Sequence, residues 1–143
     1  MEKIPTPENR NIIEKIKVLN LPQDQYVVIG SGTMAALGIR EASDIDMSVL
    51  PELHKKLRES GEWEEDVRYG KVFLKKDNFE INPGLAWDDY RTSTEEAIKS
   101  AMIIDGIPFL NLQELKKFKK ALGRNKDMND IKLIDDYLLA NRV

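Results

Sequence analysis

Two short clusters in the first third of the chain carry residue types that could do chemistry: Gly30-Ser31 in "VVIGSGTMAALG" and Asp44-Ile45-Asp46 in "SDIDMSV". Side chains in a strand alternate between faces, so Ile45, Met47 and Val49 can enter a core while Asp44, Asp46 and Ser48 share the other face. Two carboxylates on rigid backbone repel each other unless a cation or hydrogen bonds compensate them. Oxygen-only ligands of this kind suit Mg²⁺ or Mn²⁺ better than zinc. Upstream, Gly30 permits close approach to the backbone, and Ser31 with the first turn of a following helix offers a hydroxyl and unpaired amides suited to phosphate oxygens. A cation site and an anion cradle on neighbouring strand ends describe a site for a metal-chelated triphosphate.

The elements that must position these groups follow from apolar spacing and stop signals. Ile12, Ile13, Ile16 and Leu19 recur at helical spacing in "PENRNIIEKIKVLN", which predicts an amphipathic helix ended by Leu21-Pro22. "YVVIG" is β-branched and closed by glycine, as a buried strand would be, and "SGTMAALG" fits a brief helix stopped by Gly38. "DIDMSV" is the second strand, and Pro51 opens the helix "PELHKKLRES", where its missing amide proton is not needed. "KVFLKK" and "FEIN" read as strands joined at Asp77-Asn78, and "GLAWDDYR" as a loop. Ser93 with Glu96 caps "TEEAIKS", and "MIIDGIPFL" forms a short hairpin across Asp105-Gly106. Asn111 with Glu114 caps "LQELKKFKKALG", with Leu112, Leu115, Phe118 and Leu122 inward. A last helix from about Lys126 is expected to bury Met128, Ile131, Ile134 and Leu138. The expected class is α+β, a mixed sheet with flanking helices, in one domain over residues 1–143: a core over 25–110 and C-terminal helices over 111–143.

Composition narrows the chemistry. The 143 residues are 41% hydrophobic, enough for one core, and the 33% that are charged leave a net charge of only -3, no basis for bulk attraction to nucleic acid or anionic membrane. The absence of cysteine excludes thiolate sites and disulfides. His54, the only histidine, sits in a charged helical stretch and reads as solvent-facing, so no histidine metal site is expected. Trp63, Trp87 and Tyr90 could stack on a base or acceptor, although small domains more often use such rings in the core. The start "MEKIPTPENR" lacks an apolar signal core, and no apolar run approaches the roughly 20 residues that span a bilayer, so a cytoplasmic protein without membrane contact is expected.

Strand, Gly-Ser, short helix, then Asp-x-Asp on the next strand resembles the nucleotidyltransferase superfamily that includes DNA polymerase beta and the aminoglycoside and lincosamide nucleotidyltransferases. The resemblance implies that Gly30 and Ser31 open a phosphate-binding helix, that Asp44 and Asp46 bind metal, and that a third carboxylate lies on a later strand between apolar residues. Glu80 in "NFEIN" matches that place, where many relatives carry Asp, and Asp77, Asp88 and Asp89 compete with it. A second likeness, to small bacterial toxin and abortive-infection members, rests on "LNLQELKKFKKALGRNKDMNDI", which supplies Lys119, Arg124, Lys126, Asp127 and Asp130. On charge pattern alone the lysines at 116, 117, 119 and 120 read as a solvated helix face. The resemblance implies that Lys119 approaches the triphosphate, while Arg124 and Lys126 can instead pair with Asp127 or Asp130.

The implied activity is transfer of a nucleoside monophosphate from a nucleoside triphosphate to an acceptor, with pyrophosphate leaving. Asp44 and Asp46 would hold one Mg²⁺ or Mn²⁺ and, with Glu80, a second that polarises the acceptor hydroxyl. The acceptor is open between a small molecule, a transfer RNA end and a protein, and the choice of base and the oligomeric state are equally open. The alternative is a non-catalytic nucleotide- or partner-binding module that keeps the fold without turnover.

Overall fold

The computed structural model describes residues 7–42, 44–85 and 92–141. Its strands are β1 (Tyr26–Ile29), β2 (Ile45–Val49), β3 (Glu64–Arg68), β4 (Lys71–Lys76), β5 (Phe79–Asn82), β6 (Met102–Ile104) and β7 (Ile107–Phe109). Its helices are α1 (Pro7–Val18), α2 (Ser31–Ala36), α3 (Pro51–Ser60), α4 (Thr94–Lys99), α5 (Leu112–Leu122) and α6 (Asn125–Ala140). Among the described residues the strands form one mixed sheet of order β3-β4-β5-β2-β1-β7-β6. The α+β class with flanking helices is as expected.

All four β1 side chains are buried, the pattern of a strand covered on both faces, and its neighbours are β2, antiparallel, and β7, parallel. β2 runs parallel to β5, so the two enter the sheet from the edge at which β1 leaves it. One end of the sheet centre therefore gathers the residues after β1 and the first residues of β2 and β5. Ile13 and Ile16 of α1 are fully buried, each worth roughly 2 kcal/mol relative to exposure, and α1 packs on α2 and β7.

The local stop and start signals act as read. Ser93 Oγ accepts from the Glu96 amide at 3.1 Å and Asn111 Oδ1 from the Glu114 amide at 2.9 Å, each satisfying an otherwise orphan donor at a helix start. Gly123 ends α5 at φ 66°, a left-handed conformation that turns the chain so that α6 packs back on α5. No helix among the described residues is long and apolar enough to cross a membrane.

Four expectations are corrected. β3, "EEDVR", was not expected as a strand; it lies at the sheet edge with mostly exposed side chains, so pairing with β4 defines it and no apolar alternation marks it. α6 does not bury Met128, which is 49% exposed; its inward face carries Asp127, Asp130 and Ile134. Ile134 is buried as expected and Ile131 and Leu138 are partly so, while buried acids take the place expected for Met128 because cations meet them. Ser48 does not share an open face with the aspartates: it is buried, with its Oγ 2.6 Å from Thr94 Oγ1. His54 is half-buried, and its Nε2 lies 2.8 Å from the Val72 carbonyl oxygen, tying α3 to β4. Trp63 is buried, a core-edge ring as its type favours.

Candidate active site

Asp46 and Glu80 are register partners in the parallel β2–β5 pair, and Ile29 faces Asp46 from β1. Directly paired residues point to the same face of a sheet, and neighbouring strands lie about 4.8 Å apart, so the two carboxylates stand side by side. Phe79 and Ile81 send their side chains into the core on the opposite face. Asp44 sits one residue before β2 and is exposed. Asp77, a competitor for the third acid, occupies the β4–β5 turn at φ 54° and is exposed. The "AWDDYR" stretch, with Trp87, Asp88, Asp89 and Tyr90, lies outside the described residues.

Gly30 follows β1 with φ 67° and ψ -144°, a conformation that side chains other than glycine's strongly resist. A Cβ there would stand 3.4 Å from Asp46 Oδ2, so the missing side chain keeps the carboxylate open toward the turn. Ser31, the first residue of α2, accepts a hydrogen bond at its Oγ from Arg40 Nη2 at 2.8 Å.

Arg40 belongs to no sequence motif, and it organises this side of the site. Its Nε and Nη2 donate to the two oxygens of Asp130 at 2.7 and 2.8 Å, and Lys119 Nζ donates to Asp130 Oδ2 at 2.8 Å. Lys119 is 3% exposed, so the solvated-face reading fails for it, although Lys117 and Lys120 do face solvent. Burial alone would raise the Asp130 carboxyl, but the hydrogen bonds from Arg40 and Lys119 outweigh it and hold the group below the ordinary carboxylate range. Arg124 pairs with buried Asp127, Nε to Oδ2 at 2.6 Å, and together they cap α6. Two cations thus share one carboxylate on the wall that faces Ser31.

On the other side of Asp46, Arg68 from β3 forms an ion pair with Glu80 and another, from Nε, with Asp66 Oδ2 at 3.0 Å. Its guanidinium lies 4.1 Å from the centroid of the Phe73 ring. Two cavities meet at Asp46. One, of about 370 Å³, is lined by Gly30, Ser31, Arg40, Asp44 and Lys119; the other, of about 450 Å³, by Arg68, Phe73, Glu80 and Leu85. Asp46, Asn82, Phe118, Leu122 and Arg124 line both.

Burial, and after it the charge of Asp44, pushes the Asp46 carboxyl above its ordinary value; Arg68, Lys119 and Lys126 oppose the shift without cancelling it. An acid pair short of positive charge, with oxygen donors only, fits a hard divalent cation at Asp44 and Asp46. Glu80 differs, because Arg68 already meets it. Among the described residues no three His, Cys, Asp or Glu side chains are gathered as a metal cluster.

No protein-family model matches the chain, and no curated protein matches it. Among solved structures the chain is similar to an antigenic nucleotidyltransferase-like protein from Paracoccidioides brasiliensis, at 13% identity over 92% of this chain and 77% of that one, with a TM-score of 0.45.

Proposed function

We propose that the chain is a metal-dependent nucleotidyltransferase of the polymerase beta-like kind, one unit in which the C-terminal helices wall a site on the sheet. The carrying observation is the register pairing of Asp46 with Glu80 beside the Gly30-Ser31 turn, opposite the Arg40–Asp130–Lys119 wall. In the reaction an acceptor hydroxyl oxygen bonds to the α-phosphorus of a nucleoside triphosphate, the bond from that phosphorus to the bridging oxygen breaks, and pyrophosphate leaves.

Asp44 and Asp46 would hold Mg²⁺ or Mn²⁺, which supplies positive charge against the phosphate oxygens. The Gly30-Ser31 turn receives the terminal phosphates, and Arg40 and Lys119 place fixed charge behind them, the main contribution a protein makes to phosphoryl transfer. Glu80, at the second cavity, takes the acceptor's proton. Removing pre-placed charge from such a site costs about 3 kcal/mol of barrier, over a hundredfold in rate.

A second reading has its own support. The Arg68–Glu80 ion pair occupies the acid that would serve the acceptor, as in a module that binds a nucleotide without turnover. Incubation with each α-labelled triphosphate and Mg²⁺ or Mn²⁺ separates the two. Metal-dependent labelling of an acceptor or release of pyrophosphate supports the enzyme; triphosphate binding with neither supports the module.

A further inference from the structure

We propose that Arg68 is the built-in counter-cation of Glu80 and stands where a second divalent ion would bind, so that the chain takes one divalent ion instead of two. The inference rests on the metal-dependent reading and gives it a stoichiometry.

The guanidinium is braced on three sides. Phe73 lies beneath it at 4.1 Å, Asp66 holds Nε at 3.0 Å, and Glu80 meets Nη2. Nε and Nη2 are shielded from solvent and meet these carboxylates as close charge contacts without well-angled hydrogen bonds. The sheet itself sets the reach: Arg68 lies on β3, Phe73 on the intervening β4 and Glu80 on β5, three consecutive strands at the edge. A planar cation stacked on a ring between two acids is pre-organised.

The consequence for metal binding follows from charge and space. Asp46 and Glu80 are register neighbours, so an ion shared between them would lie beside the Arg68 guanidinium. A divalent ion there would face a fixed positive charge and would have to take Glu80 from it. Asp44 and Asp46 have no such resident cation: no ion pair to either is present among the described residues' salt bridges, and the open turn at Gly30 borders Asp46. Among the described residues the site therefore divides into two acids with no direct ion pair and a third acid that has one.

Mn²⁺ binding to the intact chain, counted by electron paramagnetic resonance of free ion during titration with Mn²⁺ alone, tests this without turnover. Wild type should bind one ion, Arg68→Met two, and Arg68→Met with Glu80→Gln one again, because the extra ion sits on Glu80. Arg68→Lys, which keeps the charge, should remain at one, and circular dichroism checks that each variant is folded. Two ions on wild type would overturn the inference even if no variant folds, as would a folded Arg68→Met protein that still binds one. No ion on wild type would sink the metal-dependent reading itself, a different outcome from either.

Discussion

Lys119 on α5 donates to Asp130 on α6 at 2.8 Å across the Gly123 turn, and both side chains are buried. Arg40 reaches the same carboxylate from the segment between α2 and β2. Asp130→Ala removes the 2.8 Å partner of buried Lys119 and leaves it the longer ion pair with Asp127, at 3.9 Å. Breaking one side of a buried ion pair costs about 3 kcal/mol or more. Urea unfolding should show a loss of that order; a loss below about 1 kcal/mol would mean that the network contributes little to the fold.

The same carboxylate sets an acid limit. Its folded pKa lies below the ordinary value, so its stabilisation is complete above the ordinary carboxylate range and disappears as pH falls through the lowered folded value. The stability gap between wild type and Asp130→Asn should be constant near neutrality and close on acidification. A gap that instead widens toward low pH contradicts the assignment of the shift to these hydrogen bonds.

Arg40 and Lys119 should differ on substitution. Arg40 is about one-third exposed on the cavity wall, so Arg40→Ala should chiefly raise the apparent KM for triphosphate with a modest effect on melting. Lys119→Ala should raise KM and also lower the melting temperature, since it strips Asp130 of a buried partner. Steady-state kinetics beside thermal melts would expose an Arg40 role that is only structural, as a drop in melting temperature with KM unchanged.

Gly30→Ala should cost about 1 to 3 kcal/mol, the range for a residue forced into a sparsely populated backbone region. Its new Cβ also reaches the Asp46 carboxylate. Equal melting of mutant and wild type would show that the turn relaxes freely.

What was legible in the sequence was local. The alternation of Ile45, Met47 and Val49, the caps at Ser93 and Asn111, and the match of Glu80 between Phe79 and Ile81 each depend on residues a few positions apart. Arg40 meeting Asp130 spans ninety positions, and Arg68 reaches Glu80 only because an unmarked edge strand pairs with β4. Periodicity also treats every buried face as apolar, which is why Asp127 and Asp130 displaced Met128 from the expected face of α6. Charges that satisfy one another in the interior leave no local pattern to read.

On the proposed function Asp46 belongs to a cation and triphosphate site, and melting of wild type against Asp46→Asn tests this without knowledge of the acceptor. Its folded pKa is raised, so without metal its charge lowers stability as pH rises through the window between the ordinary and the raised value. Neutralising it should remove roughly 1 kcal/mol of desolvation cost and of repulsion from Asp44, a gain of about 2 to 5 °C in chelator at neutral pH. With Mg²⁺ and triphosphate at a hundredfold over their dissociation constant, wild type gains about 2.7 kcal/mol that the variant cannot, and the order should reverse. An Asp46→Asn protein that melts below wild type by the same amount in chelator and in Mg²⁺ with triphosphate would show that Asp46 is structural and holds no cation.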